Sequence, residues 1–247
     1  MIGPDYYITV NIKKIINPAG AIYYHINAIY YKKNWQSFIS LLNEQLMAWQ
    51  PSCKNIVIFG GSGGYCLKPE FVNQFDEIVH IDPDPLASRI FKWRFQKNIQ
   101  INCKNYFSKG LEGLSDLKKD FPNYSILFSN ILGQIPYIVK IDDNYPQSFC
   151  NILANLLNDI SWFSFHDLLS LHFNKPNPAL CWPVIIEGDS NNDLIDRLQQ
   201  QTQLRPLKIN IIDHFTEGLL PQTKSKIKLV WPRTPTSYHI IEATSQT

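Results

Sequence analysis

Four of the chain's eleven glycines fall inside one five-residue window, Gly60-Gly61-Ser62-Gly63-Gly64. Glycines at the end of a strand let a ligand approach the backbone without interference from a Cβ, and they aim free N–H groups at it. Asp82 follows Gly60 by twenty-two residues and closes a second apolar run, where a carboxylate can accept hydrogen bonds from ribose hydroxyls. Dinucleotide binding is one chemistry to weigh, but no register places glycine at all three positions of GxGxxG. Hydrolysis is another, because the window satisfies GxSxG with Ser62 as nucleophile. Asp213 with His214 or His239 then supplies the chain order Ser, Asp, His. Against hydrolysis, only about fifty-five residues precede the window's strand, and no HGGG-type oxyanion segment is present.

The elements that must carry these residues follow from periodicity. Trp35, Phe38, Ile39, Leu42, Leu46 and Trp49 recur at helical spacing and stop before Pro51. The run 55–59 is continuously apolar, as a strand buried in a parallel sheet must be, and it feeds straight into Gly60. Beyond it the spacing predicts helices near 65–75, 86–96, 111–119 and 147–158, alternating with strands at 77–81, 99–103, 125–129 and 161–165. That rhythm implies an α/β fold with a mostly parallel sheet and helices on both faces. The tail predicts a helix near 191–202 and runs at 207–212, 226–231 and 238–243, the last two forming an antiparallel C-terminal hairpin. Residues 1–50 read as a lead-in or cap, with a β-like run at 6–12 and a tyrosine-rich stretch around His25. Residues 51–247 read as the main domain, within one structural domain overall.

The segments Ile56-Val-Ile-Phe-Gly-Gly-Ser-Gly-Gly-Tyr-Cys-Leu67, Val79-His-Ile-Asp-Pro-Asp-Pro-Leu-Ala87 and Phe128-Ser-Asn-Ile-Leu-Gly-Gln-Ile-Pro-Tyr137 resemble those of class I S-adenosylmethionine-dependent methyltransferases, which are Rossmann-like. The resemblance covers about residues 50–170, and the terminal hairpin is similar to that family's antiparallel last strand. It implies S-adenosylmethionine as cofactor, with Gly60, Gly61, Ser62, Gly63 and Gly64 beside its methionine part and Asp82 on its ribose. It further implies that Asn105 or Tyr106 contacts adenine and that Asn130 lies near the transferring methyl. Two positions depart from the family pattern: Ile58 stands where an acid is usual, and Ser62 replaces the middle glycine. Ile58 is the feature that favours a rival reading, a binding protein that keeps the cofactor fold without turnover.

Methyl transfer is an in-line displacement, so positioning supplies much of the catalysis and a base is needed only for a protonated acceptor. His166-Asp167, at the end of the fifth predicted strand, is the leading candidate pair. Asp213-His214 with Glu217 is a second polar cluster, and the stretch around His25 is a candidate lid. Asn130-Ile131-Leu132-Gly133 is not the NPPY of exocyclic-amine methylation of nucleic acid, and no Pro-Cys pair supports C5-pyrimidine chemistry. The acceptor is unidentified: an O or N nucleophile on a small molecule or protein is favoured over nucleic acid. Arg89, Trp93 and Lys97 share a helix face that would suit nucleic acid, or simply solvent.

Bulk composition narrows the setting. Hydrophobic residues are 45% of 247, enough for a core, and a net charge of +2 provides no domain-wide field for nucleic acid. No window approaches eighteen consecutive apolar residues, so no membrane span is expected. The start of the chain lacks a secretory pattern. Five cysteines without zinc-ligand spacing read as reduced, mostly buried thiols, with no metal expected and a cytoplasmic location.

Overall fold

The computed structural model describes residues 19–102, 104–107, 110–135, 145–174, 185–186, 190–202, 209–221 and 226–247. Eight strands form its sheet: β1 (Asn55–Phe59), β2 (Glu77–Ile81), β3 (Ile99–Asn102), β4 (Ser125–Ser129), β5 (Trp162–Phe173), β6 (Ile209–Asp213), β7 (Lys226–Thr234) and β8 (Ser237–Gln246). Their order is β3-β2-β1-β4-β5-β8-β7, and β6 pairs with β5 off this path. Strands β1 to β5 run parallel, while β8 is antiparallel to both β5 and β7. The fold is Rossmann-like, with the expected antiparallel hairpin at its C-terminus. Strand order reverses between β1 and β4, and in open α/β sheets the crevice at such a reversal is where ligands sit.

Successive side chains of a strand point to opposite faces, so β1 feeds two cores. Ile56 and Ile58 pack on one face with Phe38, Leu42, Phe71 and Trp231. Val57 and Phe59 pack on the other with Leu117, Phe128, Phe149 and Leu153. Among the described residues the helices are α1 (Ala19–Tyr30), α2 (Gln36–Ala48), α3 (Pro69–Val72), α4 (Pro85–Phe95), α5 (Asp116–Asp120), α6 (Tyr145–Leu157) and α7 (Asn191–Thr202), with 3-10 turns at Gly110–Ser115 before α5 and Leu132–Gln134 after β4. Two of the predicted tryptophans anchor the lead-in to the hairpin. Trp35 meets Trp231 edge-on at 4.9 Å and donates its indole N–H to the Arg233 carbonyl, while Trp49 donates to the Gln246 carbonyl.

Three elements differ from expectation. The helix predicted near 65–75 shrinks to α3, because Lys68 precedes Pro69 and is driven to an extended conformation at φ −93°, ψ 151°. A helix there can only begin at the proline. The strand predicted to end at 165 runs on to Phe173, paired by β6 and β8. The tyrosine-rich stretch forms α1, whereas the β-like run at 6–12 lies outside the described residues. Cys66 is buried and Cys53 and Cys150 are half-buried, all three free thiols; Cys103 and Cys181 lie outside the described residues. Among the described residues no helix is long and apolar enough to cross a membrane.

Candidate active site

The glycine window lies at the carboxyl end of β1, at the strand-order reversal. Gly60 has φ +78°, and a Cβ there would lie 2.5 Å from Ile131 Cβ at the end of β4. Its N–H continues the ladder to the Ile81 carbonyl at 2.8 Å. Gly64 closes the turn at φ +71°, its N–H donating to the Gly61 carbonyl. Arg94 of α4 braces the loop from behind by donating to the Gly63 carbonyl at 3.0 Å. Ser62 sits between them at φ +47°, an uncommon conformation for a residue with a Cβ. Its N–H donates to Asp82 Oδ2 at 2.8 Å, while Asp82 Oδ1 accepts from the Asp84 N–H. The acid that sequence spacing paired with the loop is therefore bonded to it. Burial pushes the Asp82 carboxyl up to about 6, outweighing the two N–H donors that favour its charge.

Helix α1 is pinned across this loop. His25 Nε2 lies 3.0 Å from Asp84 Oδ2, and the Tyr65 hydroxyl donates to His25 Nδ1 at 2.9 Å. Asp84 also caps α4 by accepting from the Leu86 N–H. One buried histidine thus joins α1 to residues that flank both the glycine window and Asp82. Replacing His25 with alanine should cost about 1–3 kcal/mol, because two hydrogen bonds are lost, one of them to a carboxylate. Amide exchange should accelerate through α1 while β1 and β4 stay protected.

Across the crevice, Asn130 directly follows β4 at φ +55°. Its side chain grips Asp167 twice: Nδ2 donates to Asp167 Oδ2 at 3.1 Å, and Oδ1 accepts the Asp167 N–H at 3.0 Å. His239 Nδ1 donates to Asp167 Oδ1 at 2.7 Å, and Arg233 donates to His239 Nε2 at 3.3 Å. Ser170 Oγ lies 2.7 Å from His214 Nε2 and 3.1 Å from His239 Nδ1. His214 Nδ1 donates to the Gly133 carbonyl. Burial alone would raise the Asp167 carboxyl, but His239, His214 and Arg233 together hold it well below the usual range. Burial also takes His239 down to about 4, so the pair at neutral pH is a carboxylate and a neutral imidazole.

A β-bulge assembles this cluster. Asp167 pairs with Ile241 and Leu169 with Ile240, leaving Leu168 without a partner on β8. One extra residue reverses the alternation, so Asp167 and Ser170 face the same side. His166 faces the other. It is fully buried, lies 3.0 Å from Ser164 Oγ and 3.8 Å from Glu242, and burial lowers it to about 3. The structure therefore separates His166 from Asp167, which the sequence grouped. A cavity of about 670 Å³, lined in part by Leu168, Asn191, Lys226 and Glu242, opens on the His166 side of β5 and β8.

Other expected residues have specific placements. Tyr106 is 2% exposed and donates to Asp120, its ring edge-on to Phe59. Asn105 is exposed and accepts from the Phe107 N–H. The hydrolase arrangement is not assembled: His214 and His239 bond to Ser170 rather than Ser62, and Asp213 accepts from Asn191 and from the Phe215 N–H. Ser170 and Arg233 were missed because neither belongs to any short motif.

No family model and no curated protein matches the chain. Among solved structures it is similar to an S-adenosylmethionine-dependent methyltransferase from Anabaena variabilis ATCC 29413, at 13% identity over 92% of this chain and 95% of that one, with a TM-score of 0.48. It is similar to DhpI in a complex with SAM and HEP, at 8% identity over 96% and 100%, TM-score 0.42. The N-methyltransferase NodS from Bradyrhizobium japonicum WM9, in complex with S-adenosyl-l-homocysteine, gives 8% identity over 85% and 86%, TM-score 0.41. Likenesses this distant assign no activity to the chain.

Proposed function

We propose that the chain binds S-adenosylmethionine at the glycine loop and transfers its methyl group to an O or N nucleophile. The observation that carries this reading is the Ser62–Asp82 hydrogen bond at the strand-order reversal, which sets a ribose-type acceptor beside a backbone freed of Cβ atoms. The residues present fit such a cofactor. Each Asp82 oxygen accepts one backbone N–H and retains a lone pair for a hydroxyl. Ile58 is fully buried among apolar neighbours, so no second acid meets the cofactor from beneath the loop.

When bound, S-adenosylmethionine supplies an electrophilic methyl on sulfur. The chain's own residues hold and orient. Asp82 fixes the nucleoside end, and Asn130, clamped by Asp167, presents a fixed edge at the end of β4. Asp167 is held too acidic to remove a proton from an acceptor, so its part is orienting and electrostatic. His166 lies on the opposite face of β5, hydrogen-bonded to Ser164 of the same strand. Asn105 is the exposed member of the pair proposed for adenine, while Tyr106 is buried against Phe59. Small molecules or protein side chains are the favoured acceptors. Lys97, which could have served a nucleic-acid face with Arg89 and Trp93, is spent on the carbonyls of Val72, Asn73 and Phe75.

Calorimetric titration with S-adenosylmethionine and S-adenosylhomocysteine, with NAD as control, tests the reading. Absence of heat from both sulfur ligands would refute it. Affinity should fall as pH drops through about 6, where Asp82 takes up a proton and stops accepting from hydroxyls. The slope should approach about tenfold per pH unit. Ile58 favours binding without turnover, and release of S-adenosylhomocysteine with candidate acceptors separates that case from an enzyme.

A further inference from the structure

We propose that Asp167, His214 and His239 form a binding site for one divalent first-row transition-metal ion. One ligand atom from each of the three buried residues lies within 4.8 Å of the others. Asp167 Oδ1 and His239 Nδ1 are already 2.7 Å apart, and Ser170 Oγ lies between the two imidazoles. Tetrahedral ligands bound at about 2.1 Å lie about 3.4 Å from one another, so closure needs side-chain shifts of about an ångström. The Ser170 hydroxyl either moves aside or becomes a fourth ligand.

The surrounding groups orient the three ligands. His214 Nδ1 donates to the Gly133 carbonyl, which leaves Nε2 directed at the centre of the cluster. Asn130 occupies Asp167 Oδ2, which leaves Oδ1 to face the histidines. Two imidazoles and one carboxylate suit zinc, cobalt, nickel or iron rather than calcium or magnesium, which prefer all-oxygen sets. Arg233 donates to His239 Nε2, so the ring carries its proton on Nδ1 towards Asp167. A metal at Nδ1 moves that proton to Nε2 and turns Arg233 away.

The site shares the Asn130–Asp167 pair with the crevice, but its test needs no cofactor. Full-length protein stripped with a chelator is titrated with Co2+, read by visible absorption and by metal content after gel filtration. One tightly bound Co2+ per chain is expected. His214→Ala and His239→Ala should abolish the absorption band, and Asn130→Ala should weaken binding by about 10–100-fold. Arg233→Gln, whose side-chain oxygen can accept the relocated Nε2 proton, should tighten it. Wild-type protein that holds no Co2+ overturns the proposal, whatever the variants' folding. So does a Co2+ band unchanged in folded His214→Gln protein, or one with thiolate character. Loss of sulfur-ligand binding in the calorimetry would leave the metal result standing, and the reverse holds equally.

Discussion

Asp82→Ala is expected to weaken S-adenosylmethionine binding by roughly a hundredfold, about 3 kcal/mol, the worth of two hydroxyls bonded to a carboxylate. The same substitution frees the Ser62 N–H, so the loop loses the bond that ties it to β2. Asp82→Asn separates the two effects, because it retains an acceptor for the loop while losing the charge. Stability should respond differently from binding. The Asp82 carboxyl is raised in the folded chain, so its stabilising contribution is complete below the unfolded value and is lost as pH rises through about 6. Wild type should therefore gain on Asp82→Asn as pH falls from 6 toward 4, measured by denaturant midpoint, while its cofactor affinity declines. A binding loss without that opposed stability trend would mean that Asp82 is not the buried acceptor described.

Gly60→Ala should destabilise the fold by about 2–5 kcal/mol. A left-handed conformation costs an L-residue about 1–2 kcal/mol, and overpacking adds about 1–3. The new Cβ would meet Ile131 Cβ at 2.5 Å and the Ser129 carbonyl at 3.2 Å, both in a segment held by the sheet. Gly218 provides the control. It has φ +70° with nothing within 4 Å of a Cβ, so Gly218→Ala should show the conformational cost alone. Equal unfolding midpoints for the two variants would show that β4 yields and that the contact with Ile131 is not a constraint. Cofactor binding should be lost in Gly60→Ala and retained in Gly218→Ala.

Local signals were legible. A continuous apolar run, a glycine window and an acid at the next strand's end are each read within a few residues, and β1, β2 and β4 fall where periodicity placed them. The Lys68-Pro69 boundary of α3 was also legible, since a residue before proline avoids the helical region. So was the separation of His166 from Asp167: neighbours on a strand must point to opposite faces, and only the expectation that the strand ended at 165 hid it. Tyr106 is different. Its burial depends on Phe59 and Asp120, neither of which its own neighbourhood specifies.

The sequence by itself determined an α/β chain and the end of β1 where a ligand can reach the backbone, because strand period and glycine conformation are properties of adjacent residues. Only the tertiary structure decided that Asp167, Ser170, His214, Arg233 and His239 meet. Asp167 and His239 are 72 residues apart and come together because β8 runs antiparallel beside β5. Ser170 joins them because one unpaired residue, Leu168, shifts the register of that pairing. Strand pairing and bulges are set by contacts across the sheet, where no local pattern of residue types records them.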